Sequence, residues 1–314
     1  MIPGAPEWRI SSHGYEAVIS AVGATLRRLR YDGRDLVVPF SAEEIRPVYR
    51  GALIAPWPNR IAGGRYGMDG IRYQLPLNEV ERGHALHGLV HWIRWEPAEV
   101  SQSRVVLRHD LVPQDGYPFA LQLRADFEVG ENGLRTQLDA TNESAAPVPY
   151  GCCPHPYLVA GQGRVDSWLL LLPAARRLEV DERLIPLHQA PVDTVDCDFR
   201  AGALIGDRLI DHAFTDLTRD EGGHTTVRLV DTATGTGVQM RWGSWAEWVQ
   251  IHTADRPEPS LNRVGLAVEP MSCAPDAFNQ FGGPPLLDAS SSHRAQWEIS
   301  ASRVEEGTSP PIEG

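Results

Sequence analysis

The chain has 314 residues, 42% hydrophobic and 22% charged, and its 29 basic and 41 acidic side chains give a formal net charge of −12. This is the composition of a globular protein long enough to bury a substantial core. The negative balance repels polyanions, which makes nucleic acid and acidic membrane surfaces poor partners, and no run approaches the roughly 20 apolar residues of a membrane-spanning helix.

In chain order, residues 15–20 alternate apolar and polar side chains, the period of a half-buried strand. Residues 21–30 admit a helix, but Gly23 interrupts them, so a turn and a strand are expected. Residues 104–109, 121–129 and 134–140 alternate again, and Glu131-Asn-Gly133 between the last two is a hairpin signal. Residues 227–230 form another such run, while 237–242 and 248–253 read as two strands joined around Gly243-Ser244. The 29 glycines and 25 prolines are spread along the chain, and no repeat of fixed period is present. Many short strands without a composition break predict an all-β protein, one large antiparallel β-sandwich domain over residues 1–303. Residues 304–314 read as a frayed tail.

The start, Met1-Ile-Pro-Gly-Ala-Pro-Glu-Trp8, lacks the basic-then-apolar order of a secretory signal. The four cysteines, at 152, 153, 197 and 273, are too few for a disulfide scaffold and have no zinc-motif spacing. Reduced thiols in a cytoplasm are expected. Cys152 and Cys153 lie close to His155 in sequence, which admits a nucleophile, but small buried filler is the commoner role of a free cysteine.

The most informative stretch is Pro149-Tyr-Gly-Cys-Cys-Pro-His155-Pro-Tyr-Leu158. Two prolines hold His155 on stiff, non-helical chain, and an imidazole titrates near neutrality. Glu269 also precedes a proline, in Val268-Glu-Pro-Met-Ser-Cys-Ala-Pro-Asp-Ala-Phe278. A rigid imidazole and a rigid carboxylate are the minimum for general acid–base chemistry.

Other polar clusters surround this pair. In Pro56-Trp-Pro-Asn59-Arg60 two prolines fix a loop whose arginine suits sugar hydroxyls, an anion or a structural ion pair. His84, His87 and His91 tempt a metal reading, yet Gly83 and Gly88 oppose the helix that would align 87 with 91, and on a strand His84 lies opposite. A pocket histidine at 87 is the better reading, with Gly88 admitting a ligand closely and His84 and His91 structural or on the surface. Asp211-His212 is either a functional acid or a local turn cap. Among the nine tryptophans, Trp57 is the best candidate to stack on a sugar, core packing being the usual role. No phosphate loop, dinucleotide fingerprint or nucleophile elbow occurs.

Taken in order, Asn59-Arg60-Ile61 before Gly63, Leu86-His87-Gly88, Gly116-Tyr-Pro-Phe119, His155-Pro-Tyr157, Asp211-His-x-Phe214, and Glu269-Pro followed by Pro275-Asp-Ala-Phe278 resemble the aldose 1-epimerase (galactose mutarotase) family over roughly residues 15–300. The chain departs from the family pattern at Leu89, where a second glycine is common, and at Leu158, where phenylalanine is usual. The resemblance implies a galactose mutarotase-like supersandwich that interconverts the α and β anomers of a free aldohexose, with no cofactor and no metal. It casts Glu269 as general base and His155 as general acid, with His87, Arg60, Asp211 and the adjacent Asn59 binding the sugar. A hexose-6-phosphate substrate is the alternative, for which Arg65, Arg72 and Arg82 are available cations. A non-catalytic sugar-binding protein is another.

Overall fold

The structure is a computed structural model that describes residues 5–303; the tail expected at 304–314 lies outside the described residues. Within them the helical content is three short 3-10 turns, Pro47–Tyr49, Val165–Ser167 and Val192–Thr194, and the elements are otherwise strands. All the strand pairs are antiparallel. The all-β, large antiparallel sandwich expected from the alternating runs is what forms.

The largest sheet has nine strands. In spatial order they are Glu96–Val100, Arg104–Leu111, Leu121–Gly130, Gly133–Asn142, Ser292–Arg303, Thr236–Trp242, Thr225–Asp231, Trp168–Leu171 and Ala203–Leu204. A six-stranded sheet runs Tyr157–Leu158, Leu266–Met271, Trp248–His252, Asp211–Leu217, Ala174–Val180 and Pro186–Pro191. A four-stranded meander is built from Glu7–Ser12, Tyr15–Ser20, Thr25–Tyr31 and Arg34–Asp35. One apolar cluster draws on all three, including Ile19 and Leu29, Leu123 and Phe127, and Val249 and Ile251.

The two-residue period explains this packing. Along Leu121–Gly130, residues 121, 123, 125, 127 and 129 are apolar and buried. The predicted hairpin closes between Gly130 and Gly133. Gly133 is required there: its φ is +108°, and a Cβ would stand 2.4 Å from the Ile299 carbonyl oxygen on the next strand. Residues 21–30 form the turn and strand expected, with Gly23 at φ +67° ahead of Thr25–Tyr31.

The two strands around Gly243-Ser244 both exist but do not pair with each other. Thr236–Trp242 lies in the nine-stranded sheet and Trp248–His252 in the six-stranded one. The linker therefore steps between sheets. Trp242 is buried at its start and donates to the Ala246 carbonyl at 3.3 Å, which turns the chain across the core.

That step matters for the site. On Trp248–His252, Val249 and Ile251 enter the core while Gln250 and His252 face the other way. Register places Asp211 opposite His252, and Gln250 opposite Glu269. Three neighbouring strands thus bring Asp211, Gln250, His252 and Glu269 to one face of the sheet.

No helix among the described residues is long and apolar enough to cross a membrane. All four cysteines are free and buried. Burial pushes the Cys152 thiol up to about 11 and the Cys153 thiol well above its ordinary value, so neither offers the thiolate a nucleophile needs. Trp57 is 2% exposed and packs against Tyr117 and Phe278, which removes it from the sugar-stacking candidates.

Candidate active site

An open cleft of about 680 Å³ lies over this face. His155, Glu269, His87, Asp211, Arg60 and Asn59, all six residues expected from the sequence, line it. His155 Nε2 stands 3.3 Å from Glu269 Oε1, with both side chains buried at the floor. The strand Cys153–His155 pairs with Ala52–Ile54, and Gly51 donates its N–H to the His155 carbonyl at 2.8 Å. The next residues join the sheet beside the strand of Glu269, Tyr157 opposite Ala267. Proline on both sides of the histidine and after the glutamate fixes φ and removes backbone donors there, which stiffens the chain at both residues.

His87 follows the strand His84–Leu86 with φ at +62°. Its N–H donates to the Asn59 carbonyl at 2.9 Å, and its ring centroid is 5.0 Å from that of His155. Gly88 has a different purpose from the one expected: a Cβ there would meet the Ala55 carbonyl oxygen at 2.0 Å, so glycine permits backbone packing instead of ligand approach. His84 and His91 are buried and structural. His84 Nδ1 accepts from Gly63 at 3.1 Å, and His91 Nδ1 lies 3.0 Å from the His87 carbonyl.

Arg60 reaches the cleft already engaged. Its Nε and Nη2 donate to the two carboxylate oxygens of Glu79 at 2.8 and 2.9 Å, and Nη1 is 3.3 Å from Asn59 Oδ1. Arg82 adds a third donor to Glu79 at 3.0 Å. Glu79 therefore orients the arginine in the bidentate geometry that guanidinium groups favour. Glu79→Ala strands a cation whose side chain is only 9% exposed, so urea unfolding should show a loss of about 3 kcal/mol. A loss below roughly 0.5 kcal/mol, the size of an exposed pair, would mean the arginine is solvated without it.

Gln250 Nε2 donates to Asp211 Oδ1 at 2.7 Å, and His252 Nδ1 lies 3.8 Å from the same oxygen. Burial pushes the Asp211 carboxyl up, but His252 and Arg60 outweigh it and hold the group below its ordinary range. Glu269 behaves oppositely. Burial raises it well above the usual carboxyl value, the Asp211 charge raises it further, and Arg60 only partly opposes them. Burial drives the His155 imidazole down to about 3 and holds His87 well below its ordinary value. Both shifts favour the uncharged forms, a neutral imidazole facing a carboxylic acid across the 3.3 Å contact.

Among the described residues, four buried polar atoms of the cleft side chains have no hydrogen-bond partner on a neighbouring residue: His87 Nδ1, His155 Nδ1, Gln250 Oε1 and Glu269 Oε2. Unpaired buried polar groups are uncommon because each forfeits its hydration, and a polyhydroxylated ligand would supply partners. The ligand atoms of His87, His155 and Glu269 also lie within 4.8 Å of one another, close enough to hold one divalent ion. His84 and His91 are outside that group, contrary to the histidine-cluster metal reading.

Sequence reasoning missed Glu79, Gln250, His252 and Tyr49, which also line the cleft. The alternation along 248–253 was signal enough for Gln250 and His252, because both occupy the polar phase of that strand.

The chain resembles known proteins over nearly its whole length. The family described as Aldose 1-epimerase matches residues 6–300. The uncharacterized protein YihR of Escherichia coli K12 is 35% identical over 295 residues, covering 94% of this chain and 92% of that one. Human galactose mutarotase is 28% identical, with 84% of each chain covered. Among solved structures, a GalM/aldose epimerase homologue from C. elegans superposes with a TM-score of 0.85 at 21% identity, over 96% of this chain and 100% of that one. A putative aldose 1-epimerase from Escherichia coli K12 gives 0.82 at 20% identity, with the same coverage. This chain belongs to the aldose 1-epimerase family.

Proposed function

We propose that the protein interconverts the α and β anomers of a free aldohexose by acid–base opening and closure of the pyranose ring. The observation that carries this reading is the buried His155–Glu269 pair, 3.3 Å apart on the floor of an open cleft. Glu269 takes the proton of the C1 hydroxyl while His155 gives one to the ring oxygen. The bond from C1 to the ring oxygen breaks and C1 becomes an aldehyde. Rotation about C1–C2 followed by the reverse transfers closes the ring on the other face.

Burial favours the pair's proton on Glu269, and the ring-opening step requires it on His155 once the sugar is bound. The short contact between the two side chains gives it a direct path. His87 and Arg60 donate to the ring oxygen side and to hydroxyls, and Asp211 accepts from a hydroxyl. Asn59, whose Oδ1 is already engaged by Arg60, plays the smaller part. Such chemistry oxidises nothing and releases no group, so it calls for no cofactor. The four buried thiols suit a reducing compartment, the cytoplasm.

The 6-phosphate alternative draws less support. Of Arg65, Arg72 and Arg82, Arg82 alone lines the cleft, and its guanidinium is on Glu79. Polarimetry of freshly dissolved α-glucose and α-galactose tests the proposal: optical rotation should decay faster with protein than in buffer alone. Sugar binding with an unchanged decay would replace the enzyme reading by that of a binding protein.

A further inference from the structure

Tyr49 has no part in the acid–base scheme above, yet it touches more of the site's histidines than any other aromatic residue described here. Its ring centroid is 4.6 Å from that of His87, 5.1 Å from His91 and 5.9 Å from His155, the last in a stacked arrangement with an interplanar angle of 26°. The residue lines the cleft and is half-buried. Its hydroxyl has no hydrogen-bond partner among the described residues, while Glu79 and Arg60 act on it electrostatically from the cleft wall.

The backbone is bent to place it there. Val48 and Tyr49 have φ of +41° and +62°, consecutive left-handed values that L side chains avoid, a β-branched one above all. Both flanks are tied to the site. On one side Arg46 donates to Thr25 Oγ1 at 2.7 Å and to the His91 carbonyl at 2.8 Å. On the other, Gly51 carries the N–H that bonds the His155 carbonyl, and a Cβ on Gly51 would meet the Leu26 carbonyl oxygen at 1.9 Å. Tyr157 donates its hydroxyl to the Val48 carbonyl at 3.2 Å. A strained turn held from three directions, with its side chain aimed at two imidazoles, is a device for aiming that side chain.

The imidazoles need such a device. Among the described residues, His155 Nδ1 and His87 Nδ1 bond to no neighbouring residue, so no such bond at that atom fixes either ring's rotation. Beyond the 3.3 Å contact of His155 Nε2 with Glu269, aromatic packing is the restraint on these rings, Tyr157 stacking on His155 alone at 5.3 Å and Tyr49 reaching both, and proton transfer is sensitive to small errors of aim. We propose that Tyr49 is a positioning residue: its ring fixes the orientation of His155 and His87, and its hydroxyl meets a hydroxyl of the bound sugar. This inference rests on the acid–base reading for its kinetic consequence but not for its structural one.

Two variants separate ring from hydroxyl. Tyr49→Phe keeps the packing, so kcat should stay near wild type while KM rises roughly threefold to tenfold, the worth of one hydrogen bond. Tyr49→Leu removes the aromatic restraint, and kcat should fall about tenfold to a hundredfold with the thermal midpoint little changed. Imidazole 15N–1H correlation spectra of the two proteins without sugar supply the readout that does not depend on turnover. His155 and His87 should keep their wild-type resonances in Tyr49→Phe and show motionally broadened, shifted resonances in Tyr49→Leu. Unchanged imidazole resonances in Tyr49→Leu would overturn the proposal. So would a kcat within twofold of wild type, given an active wild type. A wild type that does not accelerate anomerisation would sink the enzyme reading and leave the spectra to judge Tyr49.

Discussion

Glu269→Gln is expected to lower turnover by about 10²–10⁴-fold, the usual contribution of a positioned proton transfer, while making the folded protein more resistant to heat at pH 8. The two effects have one cause. The carboxyl is held at the cleft floor, 2% exposed, where burial raises it well above its ordinary value. A carboxyl raised in the folded state contributes its full stability below the unfolded value, and loses it as pH climbs toward the folded one. Between those limits the unfolded chain has released a proton that the fold retains, so stability falls by up to about 1.4 kcal/mol per pH unit. Glutamine has the same shape and never ionises, so it escapes this loss. The thermal midpoint of the variant minus that of wild type should therefore grow from pH 5 to pH 8. A difference that stays flat would show that Glu269 ionises in the fold as easily as in water. Retained turnover would remove it as the base.

What the sequence made legible is what depends on local pattern. Alternation along 121–129 and 134–140, with a glycine turn between them, predicted strands and a hairpin that are present. Flanking prolines marked His155 and Glu269 as rigid, and both sit in one cleft. The rest depends on contacts that no local window contains. Arg60 meets Glu79 across 19 residues, and Glu79 sits in an unremarkable polar run. The strands around Gly243 read as partners because they are neighbours in sequence. Their separation into two sheets follows from where Trp242 and Ile251 find core, which is a property of the whole sandwich. Gly88 looked like room for a ligand, and only the fold reveals the carbonyl of Ala55 pressed against it. Tyr49 owes its place to two left-handed backbone angles that its neighbours impose. An identical Val-Tyr pair elsewhere would carry no such meaning.

The pH dependence of kcat/KM should be a broad plateau, wider than free imidazole and carboxyl groups would give, and His155→Asn should lower it by about 10²–10⁴-fold. Productive protein carries one proton on the His155–Glu269 pair. With both groups protonated no base is left, and with neither protonated no acid is left. Ordinary values would confine the productive form to a window between about 4.3 and 6.5. Burial widens that window at both ends. His155 resists a second proton until its value of about 3, which moves the acid limb down, and Glu269 holds the first proton well above its ordinary range, which moves the alkaline limb up. Activity should therefore persist below about pH 4.3, where groups with ordinary values would lose it, for as long as the fold survives. These limbs belong to the pair, so they report its first and last proton and not one residue each. A fall in kcat/KM centred near 6.5 would mean that His155 gains its proton freely and faces water. The buried neutral pair would then be wrong even if the protein proved to be a mutarotase. In His155→Asn the asparagine can accept or donate a hydrogen bond but cannot carry a proton to the ring oxygen. Binding of sugar should persist while turnover is lost, and a variant with wild-type turnover would assign the acid to another group, for which His87 and His252 in the same cleft are the candidates.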